Sequence, residues 1–148
     1  MKTIRLTFLA TVLVVLTSIT SYAQKVANYA AGKPGTSSYR GYSFYLTGTK
    51  PTEISFRSGA DRNESNVTYN GKATYNGKRC FKMTLTGNKV YYAYPVGDKL
   101  AIVNATSKKA ETYTWEYEGP VDGRGTFCEA CAEDEKEAMK LMKSSYLK

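Results

Sequence analysis

The chain has 148 residues, with 21 lysines and arginines against 13 aspartates and glutamates, a formal charge of +8 and no histidine. That length suits one domain with a single modest core. Without histidine the commonest general base near neutral pH is missing, and three cysteines alone fall short of a zinc ligand set, so the expectation is a non-catalytic protein with no cofactor and no metal.

Lys2 and Arg5 precede an apolar run over residues 6–16, and Ser21-Tyr22-Ala23 places small residues at the two positions that signal peptidase reads. Residues 1–23 are therefore expected to be a cleavable export signal, and residues 24–148 a single β-rich domain, periplasmic or secreted. The apolar run is shorter than the roughly 20 residues of a membrane-spanning helix, and no later stretch is apolar enough to cross. Gln24 follows Ala23 where a lipoprotein would carry cysteine. The mature charge is uneven. Residues 24–110 hold 14 basic and 4 acidic side chains, and residues 111–148 hold 5 and 9. This predicts either an anionic partner for the first part or attraction between the two parts.

From Tyr39 to Glu118 the pattern is strand and turn. Tyr42 to Leu46 reads as a strand, Thr49-Lys50-Pro51 breaks it, and Ile54 and Phe56 follow two apart. Phe81, Met83 and Leu85 alternate with Lys82, Thr84 and Thr86, giving one apolar and one polar face. Gly87-Asn88 leads into the tyrosine-rich residues 89–94, then residues 100–103 form a short strand, and Tyr113, Trp115 and Tyr117 alternate on another. Evenly spaced short strands with tight turns predict an antiparallel meander closing into a barrel or a strongly curved sheet. Thr-Tyr-Asn-Gly-Lys occurs at residues 68–72 and again at 74–78. Each Asn-Gly favours a type I′ turn, yet two so close cannot both join full strands, so one is expected to be a bulge or corner.

The C-terminus switches period. Thr126-Phe127-Cys128-Glu129 fits a capping box, and Cys128, Cys131, Ala132, Ala138, Met139, Met142 and Tyr146 fall on one stripe at 100° per residue. A helix over about 126–147, packed on the sheet, is the expectation, with Glu135 as a misfit on its apolar side. Cys128 and Cys131 then form a Cys-x-x-Cys at a helix start, where unpaired N–H groups would stabilise a thiolate. Glu129, Glu133, Asp134 and Glu135 oppose that charge. The competing expectation is a structural disulfide in an oxidising compartment, either Cys128–Cys131 or Cys80 joined to the helix.

Tyrosine is the other marked feature, with 13 in the chain. Rings interleaved with lysine and arginine can bind carbohydrate faces or anionic groups, and tyrosine also simply suits strands. Tyr92, Tyr94, Trp115, Arg79 and Lys82 are the expected contacts, at a barrel mouth. The functional expectation is an exported binding or interaction protein with an anionic or carbohydrate envelope ligand. Nucleic acid is not expected, because the chain is exported and carries no recognised binding motif. The alternative is a periplasmic thiol–disulfide or metal-binding protein using the Cys-x-x-Cys.

Overall fold

The computed structural model describes residues 24–117 and 130–148. Its strands are β1 (Gln24–Ala31), β2 (Arg40–Thr47), β3 (Lys50–Ser58), β4 (Asn63–Tyr75), β5 (Lys78–Leu85), β6 (Lys89–Val96), β7 (Lys99–Asn104) and β8 (Ala110–Trp115), followed by one helix, α1 (Glu135–Ser145). Each strand pairs antiparallel with the next and β8 pairs with β1, so the meander closes into an eight-stranded barrel. The alternation read from the sequence sets its two faces. Tyr42, Phe44 and Leu46 on β2, and Phe81 and Met83 on β5, point into one core with Ile54, Leu100 and Ile102. Their neighbours Lys82, Thr84, Asn66 and Thr68 take the outer face, as the period of two requires.

Both Asn-Gly pairs find their places. Asn76 and Gly77 have φ of 48° and 74° and join Tyr75 to Lys78 as a two-residue hairpin. The first pair, Asn70-Gly71, falls where the β4–β5 register slips between Tyr69 and Lys72, and Gly71 has φ 89°. It is the bulge. β1 was not anticipated: its inward residues Ala27 and Ala31 are small, and only Tyr29 between them carries a strong apolar signal.

The seam of the barrel is short. β1 meets β8 in two residue pairs, Tyr29–Trp115 and Ala30–Thr114, with Glu116 N–H donating to the Asn28 carbonyl at 3.0 Å. Below that point the returning chain takes over. Val26 N–H donates to Ala130 O at 2.7 Å, and Ala132 N–H donates to Val26 O at 2.8 Å. Cys131 therefore lies in a parallel bridge to Val26 on the β1 edge. This corrects the expected helix over about 126–147. The helix begins at Glu135, with Asp134 as N-cap accepting from Glu137 N–H at 2.7 Å, and Glu137 accepting from Glu133 N–H at 2.7 Å. Glu135 ceases to be a misfit because it opens the first turn, where a carboxylate complements the helix dipole. Thr126, Cys128 and Glu129 lie outside the described residues.

From its cap, α1 closes one end of the barrel. Ala138, Met139 and Met142 are buried in the barrel core. Tyr146, just past the helix, enters furthest: its ring centroid lies 5.4 Å from Phe44, 5.0 Å from Phe81 and 5.2 Å from Tyr69. Its hydroxyl donates to the carbonyls of Tyr45 at 3.0 Å and Glu53 at 3.2 Å. At this level the barrel is filled with rings. Burial raises the Tyr146 pKa above the ordinary tyrosine value, and nearby Tyr69 adds to the shift.

Candidate functional site

Beyond Phe81 the β4–β5 hairpin leaves the barrel wall, since β5 pairs with β6 only from Phe81 to Leu85 while its pairing with β4 runs on to Lys78. The bulge at Gly71 lets the tip fold over the outside of β6. There Tyr75 stacks on Tyr92, with ring centroids 5.0 Å apart and planes 22° from parallel. Lys78 Nζ sits 4.8 Å from the Tyr94 centroid, and Lys108 Nζ, from the β7–β8 turn, 5.8 Å from that of Tyr75. Both lysines are within the reach of a cation–π contact. Beneath, Tyr92 and Tyr94 stand opposite Val103 and Ala101, which face outward and are nonetheless buried. The rings thus cover apolar wall on one side and remain half-exposed on the other.

Of the expected contacts, Tyr92, Tyr94 and Lys82 share this outer face, and Lys82 pairs directly across from Tyr92. Trp115 does not join them. It pairs with Tyr29 and packs against the core, because the Tyr113–Trp115 parity points inward. Arg79 has the opposite parity to Lys78 and donates to the Leu147 carbonyl at 2.8 Å, so it anchors the C-terminal segment. Sequence reasoning missed Tyr75, Lys78 and Lys108. The second Tyr-Asn-Gly-Lys carried two of them, but their meeting with β6 depends on a hairpin folding over and leaves no local signal.

The charge around this face is one-sided. Residues 65–110 hold eight basic side chains and one acid, Asp98. Among the described residues none of those eight forms an ion pair. The pairs lie elsewhere: Lys25–Glu137 at 3.5 Å, Arg40–Glu111 at 3.4 Å and Arg62–Glu116 at 3.8 Å. Each joins a basic residue of the first three strands or their turns to an acid of the C-terminal part.

On that other side the outer wall is sealed. Tyr39 lies over Gly41, where a Cβ would come within 2.7 Å of its hydroxyl. That hydroxyl donates to Glu116 at 2.7 Å, and the Arg62 guanidinium lies 5.0 Å from the Tyr39 centroid. Burial raises the Tyr39 pKa, reinforced by the Glu116 hydrogen bond and charge and opposed by Arg57 and Arg62. Inside, Tyr113 donates to Glu111 at 2.8 Å beside the Arg40 pair. Burial pushes the Tyr42 and Tyr113 hydroxyls well above the ordinary range.

The cysteines divide. Cys80 is buried and free, its thiol pKa raised by burial, so the expected Cys80–helix bridge is corrected: Cys80 sits in the β4–β5 hairpin opposite Ala73. Cys131 is buried and accepts from Asn28 Nδ2 at 3.4 Å. Being three residues before the N-cap and extended, it lacks the helix-start setting that would favour a thiolate. Among the described residues no three histidine, cysteine or acidic side chains are grouped to hold a metal ion. Compared with known proteins, the chain matches no family model, no curated protein and no solved structure.

Proposed function

We propose that this is an exported, non-catalytic binding protein whose ligand is an anionic carbohydrate held on the outer face of β4–β6. The observation that carries the reading is the Tyr75–Tyr92 stack with Tyr94, set among lysines that form no ion pair among the described residues. Tyrosine rings offer flat apolar surface to sugar faces, and unpaired lysines attract carboxylate or phosphate groups on the same polymer. Export begins the mature chain at Gln24, the first residue of β1. In that compartment Cys131 pairs with Cys128, since Cys80 is buried and free. Peptide mapping of exported protein without reductant should recover that bridge and a mass starting at Gln24. Three freely alkylated thiols would contradict the bridge.

The direct test is binding to immobilised polygalacturonate, with neutral dextran as control. Binding should weaken steeply with salt and drop at least tenfold in Lys78→Glu/Lys108→Glu. Equal retention on both polymers would overturn the reading.

A further inference from the structure

A second surface, separate from the tyrosine face, runs along α1. A hollow of about 560 Å³ opens between the Gly97-Asp98 turn and the helix face carrying Lys136, Met139, Lys140 and Lys143. A second, of about 310 Å³, shares Lys143 and adds Arg79, Pro95 and Leu147. A third, of about 280 Å³, shares Arg79 and Leu147 and continues to Lys72, Ala73 and Cys80. The shared walls make one trough, and its first hollow alone is in the size range of small-ligand sites.

We propose that this trough binds an amphiphile with a single acyl chain and an anionic head. Its floor is apolar, supplied by Met139, Pro95, Leu147 and Ala73. Its rim is basic, and among the described residues lining it Asp98 is the one acid. Lys136, Lys140 and Lys143 rise about 6 Å and then about 4.5 Å along the helix, so an anionic head meets two or three amines within two turns. Lysine stems line apolar surface while their heads stay wet, which suits both halves of such a ligand. Among the described residues none of the three forms an ion pair. An acidic glycan would engage the rim and leave the floor unused, and a neutral hydrophobe would leave the rim uncompensated. An anion with an acyl tail satisfies both.

The test uses lysophosphatidylglycerols with chains of 8, 10 and 12 carbons, each below its micelle concentration, titrated calorimetrically against the mature protein. Affinity should rise at least about threefold for each two carbons, because methylenes leave water on binding. Lysophosphatidylcholine should bind at least tenfold more weakly. Lys140→Glu/Lys143→Glu, at exposed sites, should lose at least tenfold with an unchanged melting temperature, and Lys140→Gln/Lys143→Gln provides the milder variant should the first misfold. Affinity independent of chain length, equal binding of the choline lipid, or undiminished binding by the double variant would overturn the proposal. So would polygalacturonate binding that the double variant abolishes while the lysolipids fail to bind. Tyr92→Ala should keep lysolipid binding, so failure here is separable from failure of the carbohydrate reading.

Discussion

The two sides of the barrel handle charge in opposite ways. Around β1–β3, Lys25, Arg40 and Arg62 each meet an acid of the C-terminal part, and Tyr39 is sealed under Arg62 with its hydroxyl on Glu116. Around β4–β7, eight basic residues face one acid, and lysines rest on stacked, half-exposed tyrosines. The excess positive charge therefore has two fates. Part of it ties the chain's end to its beginning, and the rest forms no ion pair among the described residues. Substitutions on the first side should cost stability and leave binding alone, and those on the second should do the reverse.

The largest loss is expected where the C-terminal segment enters the barrel. Tyr146→Ala should destabilise by about 3–5 kcal/mol, since it removes a fully buried ring and both of its hydrogen bonds. Met142→Ala should cost about 2–4 kcal/mol, as that side chain is also fully buried. Urea denaturation measures both, and losses below about 1 kcal/mol would mean that the helix does not plug the barrel.

Next comes the tyrosine core under alkali. Tyr29, Tyr42, Tyr113 and Tyr146 all have pKa values raised by burial. Between the unfolded value near 10 and the raised folded values, the unfolded chain binds fewer protons, so stability falls as pH rises. It should be fully present below about pH 10 and be lost above it, with tyrosinate absorbance of these four appearing only as the protein unfolds. A smooth titration of every tyrosine near pH 10 in folded protein would contradict their burial. A smaller effect belongs to the sealed wall. Glu116→Ala leaves the Tyr39 hydroxyl without its acceptor and should cost about 1–3 kcal/mol in the same urea assay. No change would show that Tyr39 finds water instead.

β4, with only Val67 and Tyr69 as apolar signal for the core, was not legible as a strand. The strand faces were legible on β2, β3 and β5, where a period of two repeats with strong apolar residues, and the Asn-Gly pairs announced one turn and one bulge. The helix face from Ala138 to Tyr146 was legible for the same reason. Its start was not. Thr126-x-x-Glu129 and Asp134-x-x-Glu137 both satisfy the capping pattern, and the pairing of Val26 with residues 130 and 132, a long-range contact, keeps those residues out of the helix. Trp115 was grouped with Tyr92 and Tyr94 as a contact at the barrel mouth because alternation does not say which face is inside. Tyr75 was invisible as a site residue because the hairpin that carries it reaches β6 by folding over, a long-range event that no local pattern encodes.

The contrast between the two walls is tested most directly by polygalacturonate binding at low salt, measured alongside melting temperature in Tyr75→Ala/Tyr92→Ala and in Arg62→Ala. The first variant should lose at least tenfold in affinity while remaining folded, since neither ring belongs to the barrel core. The second should bind like the parent protein. Equal affinities in all three proteins, or loss in Arg62→Ala alone, would contradict the assignment of binding to the β4–β6 face.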